Sequence, residues 1–317
     1  MNAPDKRPPP PAENDEVAEL GNGKKSKSSL RPEDLKWDAE AELLNQSELL
    51  ANQAAVAIEP QTSTQEPRPD PLVIDKNVLE KRGFIVPNGA RSATIQEFRG
   101  VKRSLLLNAM PSSEDGDDLG RLIMITSALP GEGKTFCAVN LALSLVEEQD
   151  YSVLLVDGDV AKPSIPEVLE LAQQPGLIDA LADPGTDVRS LIHETSIPKL
   201  SYLSAGRAHH QATELLASSL MQDLLDTIMS IDSKQIVVFD SPPLLVSTEA
   251  PGLPPRMGQI VLVVEIGKTK RSAVKDALTI IDRDDDSVTI LLNKASHGRS
   301  ASGYGGYGYG YGYGRKD

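Results

Sequence analysis

Short apolar runs punctuate the chain from residue 122 onward: Leu122–Thr126, Val153–Asp157, Leu200–Leu203, Ile236–Asp240, Ile260–Val264 and Val288–Leu292. Stretches with helical spacing separate several of them. Unbroken apolar strands alternating with helices predict an α/β fold, with a mostly parallel central sheet and helices on both faces. Upstream, the spacing predicts a helix over Thr94–Ala109. It carries Phe98, Val101 and Leu105 on one side and Arg99, Lys102 and Arg103 among its charges. A shorter helix is predicted over Pro32–Ala55, where Leu35, Ala39, Leu43 and Leu44 fall near one face.

The two ends read differently. Residues 1–90 are rich in Pro, Glu, Asp, Lys, Ser and Asn, including the run Pro8–Pro11. Such a segment buries too little apolar surface to offset its ordering entropy, so it is expected to be a disordered N-terminal region. Residues 91–298 form the folded domain. Residues 299–317 are a Gly-Tyr segment holding Tyr304, Tyr307, Tyr309, Tyr311 and Tyr313, five of the seven tyrosines in the chain. Its glycines give it no core, so a flexible tail is expected.

Charge and cysteine narrow the function. A formal net charge of -14 argues against general nucleic-acid binding. The single Cys137 excludes an internal disulfide framework and a Cys-only metal site, and its place in an apolar helix predicts a core thiol. No apolar run approaches the ~20 residues that span a bilayer. The first residues lack the apolar core of a secretory signal. The expectation is a cytosolic chain that meets a membrane through a partner.

The chemistry concentrates in three places. Ala128-Leu-Pro-Gly-Glu-Gly-Lys-Thr135 follows the strand RLIMITS and opens the helix TFCAVNLALSLV. Gly131 and Gly133 allow a tight loop whose backbone N–H groups surround phosphate oxygens; Lys134 reaches the terminal phosphates and Thr135 offers a hydroxyl to Mg²⁺. Ala128 stands where the pattern has its first glycine. A glycine-rich turn with a surface lysine is the plain alternative, and the strand–loop–helix context argues against it. The next strand ends in Asp157-Gly-Asp159, and a later one in Asp240-Ser-Pro-Pro. Acids at strand carboxyl ends sit where open α/β sheets place their ligand chemistry, although two of them alone would read as solvated turn residues. Asn293, at the end of the strand read as buried in TILLNK, is a candidate adenine contact and equally a turn residue. His209 and His210 read as surface residues, and Asp284–Asp286 as a solvated turn.

Taken in order, PGEGKT, LLVDGDVAKP and VVFDSPP resemble the bacterial tyrosine kinases of capsule and exopolysaccharide systems. So do PGLIDALAD, LSYLSAG, TELLASS and the Gly-Tyr segment. The kinases attached to exosortase-type loci are a narrower match. The resemblance implies a P-loop NTPase fold and a protein-tyrosine autokinase that uses ATP and Mg²⁺ to regulate exopolysaccharide synthesis or export. It implies that Pro130, Gly131, Glu132, Gly133, Lys134, Thr135 and Asn293 bind nucleotide. Lys134, Asp157, Asp159 and Asp240 are the implied catalytic residues. Thr135, Asp159 and Asp240 hold the metal. Asp157 is the first choice to take the tyrosine proton, with Asp159 next. The phosphoacceptors are the five C-terminal tyrosines, reached between subunits. The implied partners are a homo-oligomer such as a ring, a separate transmembrane polysaccharide chain-length or export protein as activator, and a tyrosine phosphatase. That activator would hold the chain at the inner face of the cell membrane.

Two departures stand out. The family's assembly helix carries Glu-x-x-Arg-x-x-Arg, whereas this chain has Gln96, Arg99 and Lys102 in that spacing. Lys lacks the bidentate fork of Arg. The family's transmembrane activator domain is also missing from this sequence. A positioning or partitioning ATPase of the same fold is the alternative, but its second loop lysine is replaced by Ala128, Leu129 and Pro130. An iron–sulfur carrier would need a Cys pair. A third reading makes the Gly-Tyr segment a purely adhesive element.

Overall fold

A computed structural model describes residues 70–90, 92–109, 118–283 and 286–295. The expected helix over Pro32–Ala55 and the Gly-Tyr segment lie outside these residues. Seven strands form one sheet: β1 (Leu122–Ser127), β2 (Ser152–Asp157), β3 (Ile192–Glu194), β4 (Leu200–Leu203), β5 (Gln235–Asp240), β6 (Gln259–Glu265) and β7 (Val288–Asn293), in the order β3-β4-β2-β5-β1-β6-β7. All neighbours pair in parallel except β3 with β4. The six predicted strands are all present. β3 was not predicted; three residues, Ile-His-Glu, carry no apolar run.

The central strands are apolar because both faces are covered. Every residue of β1 and β5 is buried. On one face lie α2 (Ala93–Ala109) and α3 (Lys134–Leu145), whose Leu105, Leu141 and Leu145 meet Ile123, Ile125 and Val238. The other face is covered by helices that include α5 (Leu177–Ala182), α7 (Ser219–Ile231) and α8 (Arg271–Ile281), whose Leu177, Leu225 and Ala277 meet Met124, Val237 and Leu262. Each fully buried aliphatic side chain contributes roughly 1.5–3 kcal/mol, so the two layers together dominate stability.

Two expectations change. The boundary drawn near residue 90 moves to about residue 70. Leu72 pairs with the β3–β4 edge, donating its N–H to Glu194 O at 2.8 Å and accepting from Ser196 N at 2.8 Å. Asp75 then caps the short α1 (Lys76–Lys81). Leu79, Phe84 and Ile85 are buried in the first core layer, and the Ile85 N–H donates to Asn140 Oδ1 at 2.8 Å. These apolar residues follow no regular period, so the pattern hid them. The second change is β7. It is an edge strand rather than a buried one: Ile290 is 47% and Leu292 63% exposed.

Candidate functional site

The strand register assembles the site. Asp157 and Asp240 are paired neighbours at the carboxyl ends of β2 and β5, and Ile125 of β1 lies beside Asp240. The residues that follow β1 cross this end of the sheet as the loop Ala128–Gly133. Gly131 and Gly133 adopt φ of 81° and 98°, the left-handed region where a side chain is strained. Ala128 does not need to be glycine. It is fully buried in the second core layer and is absent from the positive-φ residues.

The loop is tied down on every side. Glu132 is buried, its Oε2 accepting the Leu129 N–H at 2.7 Å and its Oε1 accepting the Thr269 hydroxyl. Asn293 Nδ2 donates to Glu132 O at 2.8 Å, while its Oδ1 accepts the Lys294 N–H at 2.8 Å. Lys294 Nζ donates to Gly131 O at 2.5 Å and pairs with Glu265 at 3.1 Å. A Cβ on Gly133 would collide with the Asn293 amide. The structure thus shows Asn293 bracing the loop. Thr269, Glu265 and Lys294 were not identified from the sequence. They stand over a hundred residues from the loop; the β1–β6 pairing brings Glu265 and Thr269 to it, and the β6–β7 pairing brings Lys294.

Below the loop the acids are poorly satisfied. Asp157 and Asp240 are fully buried, and Asp157 Oδ1 and both carboxylate oxygens of Asp240 have no hydrogen-bond partner among the described residues. Asp157 Oδ2 accepts only the Ile165 N–H, at 3.2 Å. Burial, reinforced by the Asp240 charge, pushes Asp157 up to about 8. Burial also lifts Asp240 to about 6, against the pull of Lys134. Lys134 Nζ sits 2.8 Å from Asp159 Oδ2 and 3.4 Å from Thr135 Oγ1. Burial alone would lower its pKa; Asp240, Asp159 and Asp157 outweigh that and hold the ammonium charged. Gly158 is required here, because a Cβ would strike the Phe239 ring and Asp240 O.

Lys134, Thr135 and Asp159 border a cavity of about 690 Å³ that runs from the loop past Lys162 and Glu167 to Pro242, Val246 and Glu249, with Asp157 and Asp240 buried behind them. Among the described residues no group of three acidic, His or Cys side chains is placed to cage a metal alone. Thr135 and orphaned carboxylate oxygens beside a phosphate loop instead fit Mg²⁺, which keeps its waters and takes phosphate oxygens as ligands. Cys137 is buried as expected, its thiol pushed up to about 12 by burial and by Asp240. Lys102 does not face outward. Its Nζ reaches Ser144 O at 2.9 Å and Glu148 Oε1 at 2.7 Å, so it ties α2 to the end of α3.

Comparison with known proteins agrees with this layout. Residues 118–243 match the ParA family, described as NUBPL iron-transfer P-loop NTPase. The chain is 28% identical over 213 residues to the putative tyrosine-protein kinase EpsB of Ralstonia nicotianae, covering 67% of this chain and 27% of that protein. It is 26% identical over 215 residues to the putative tyrosine-protein kinase CapB of Staphylococcus aureus, covering 68% of this chain and 90% of CapB. The kinase domain of VpsO superposes with a TM-score of 0.53 at 26% identity, covering 64% of this chain and 96% of that domain. Over this region the chain is similar to bacterial tyrosine kinases. It spans about a quarter of the length of the first curated relatives it matches. The ParA match spans β1 to β5 and so includes the loop and the acids that end β2 and β5. No described helix is long and apolar enough to cross a membrane.

Proposed function

We propose that this chain transfers the γ-phosphoryl group of ATP to tyrosines of its own Gly-Tyr segment. The observation that carries the reading is Lys134, which lines the cavity with Asp159 beneath the loop and is held charged by Asp159 and by the buried Asp157 and Asp240 behind it. The backbone N–H groups of Gly131–Thr135 cradle the phosphates, and Pro130, which has no N–H, shapes the start of the loop. Lys134 leaves Asp159 to meet the terminal phosphates, trading one anion for another. When bound, Mg²⁺ neutralises the charge that develops on the transferring group, with Thr135, Asp159 and Asp240 as its protein side. Asp157 accepts the tyrosine hydroxyl proton. Its raised pKa makes it a better proton acceptor than an exposed carboxylate, provided it is ionised when the tyrosine arrives. Asn293 holds the loop in shape from the β7 side.

The acceptors in this reading are Tyr304, Tyr307, Tyr309, Tyr311 and Tyr313, presented by one subunit to another. Self-association, a transmembrane export or chain-length protein as activator, and an opposing tyrosine phosphatase complete the proposal, with exopolysaccharide output as the regulated process. Lys102 is spent inside its own subunit, so an assembly contact through α2 would draw on Arg99 and Arg103 instead. A chain ending at Ser302 should label the tail of a Lys134→Met partner. Failure of that mixed reaction, with the parent active, rejects transfer between subunits. A partitioning ATPase would hydrolyse ATP without labelling any tyrosine.

A further inference from the structure

We infer that the unphosphorylated Gly-Tyr segment docks as an added antiparallel strand on the free edge of β7. The sheet order ends at β7, and no described strand pairs with its outer side. Ile260 N–H donates to Ser287 O and Ile266 N–H to Asn293 O, which sets the parallel alternation. Val288, Ile290 and Leu292 therefore turn their backbone N–H and C=O groups away from β6. Their side chains share the face on which Val288 packs with the second core layer, whereas Leu291 packs with the first. Ile290 and Leu292 lie exposed there, beside Ile266, which is 44% exposed. An uncovered apolar edge strand is an aggregation hazard that proteins normally cover. On the opposite face an open groove of about 530 Å³ runs along this edge, walled by Phe98 and Val101 of α2 and by Phe136.

The chain carries a segment of matching chemistry. Tyr307, Tyr309, Tyr311 and Tyr313 recur every second residue with glycine between them. In a strand, that period puts four rings on one face and only hydrogens on the other. The rings would cover Ile290, Leu292 and Ile266. The glycine face lets the added backbone lie close beside Phe98 and Val101. Thirteen residues, Lys294–Gly306, separate β7 from the first of these tyrosines, more than enough for the chain to reverse. Each phosphotyrosine brings about -1.5 to -2 charges. Placed on an apolar face, such charges undo the docking, so phosphorylation frees the strand. The consequence for phosphorylation rests on the kinase reading; the docking itself does not.

Hydrogen exchange on the full, phosphatase-treated chain tests it without any kinase step. Peptides covering Val288–Asn293 and Gly303–Gly314 should exchange at least ten times more slowly than in a Tyr307→Glu, Tyr309→Glu, Tyr311→Glu, Tyr313→Glu variant. A Leu292→Lys variant should likewise lose the protection, with its melting temperature unchanged. The protection should survive tenfold dilution. Equal exchange in parent and variants, or protection lost on dilution, overturns docking within the chain. Mass spectrometry of the ATP-treated protein reports separately on the kinase reading.

Discussion

The phosphate loop and the acids beneath it are built on opposite principles. Glu132, Asn293, Lys294 and Thr269 use side chains from three parts of the sequence to hold the loop. The protein's own contacts therefore fix the loop's shape, which lowers the ordering cost that a bound phosphate would meet. Asp157 and Asp240, a strand-width away, are buried with orphaned oxygens, and among the described residues Lys134 is the cation that acts on them. That arrangement is unfavourable for the empty protein and favourable once a divalent cation and phosphates supply the missing partners. The loop is a finished receptor; the acid pair is an unfinished one.

Substitutions at each half should separate them. The largest effect belongs to Lys134, which joins the two. Lys134→Met should reduce ATP affinity and tyrosine labelling by on the order of 100-fold or more, since one preorganised charge aimed at developing negative charge carries that much. Nucleotide titration checks it. Asp157→Asn and Asp240→Asn should each lower labelling by on the order of 100-fold, yet raise the melting temperature of the nucleotide-free protein at pH 8 by a few degrees. A fall in melting temperature would mean the pair is not strained. Glu132→Gln and Thr269→Val should do the reverse: about tenfold weaker nucleotide binding with reduced stability, because each leaves a loop hydrogen bond unmade.

The smallest effect is the pH dependence. Asp157 and Asp240 ionise near 3.8 when unfolded but at about 8 and about 6 when folded. Between those values the folded state holds more protons than the unfolded one, so stability falls as pH rises. The melting temperature of the empty protein should decline from pH 5 to pH 8.5, and the decline should shrink in the double Asn variant. Asp179, Asp232 and Glu249 have lowered pKa values through hydrogen bonds to their carboxylates, so they act in the other sense and cost stability only at more acidic pH.

The sequence made the sheet and the acids legible because both depend on local pattern. Apolar runs of four or five residues mark the strands, and the acids that end the β2 and β5 runs land side by side at one edge of the sheet. The braces were hidden because they depend on register. Thr269 and Lys294 are ordinary residues in sequence and become loop supports only when β6 pairs with β1 and β7 with β6. The strap Leu72–Ile85 was hidden by its composition, in which a few irregularly spaced apolar residues sit among charged ones. Apolar content alone misread β7 as buried. It is an edge strand whose Ile290 and Leu292 face outward. Lys102 looked like an assembly residue by its spacing, and its burial against Ser144 and Glu148 makes it an internal tie.

The central claim is that the finished loop and the unfinished acid pair together make a tyrosine kinase acting on the Gly-Tyr segment. Incubating the purified chain with ATP and Mg²⁺, followed by mass spectrometry of the peptide that holds Tyr304–Tyr313, measures this directly. Phosphate on those tyrosines in the parent, absent from Lys134→Met, is the predicted result. ATP hydrolysis at an ordinary rate with an unmodified Gly-Tyr peptide would contradict it.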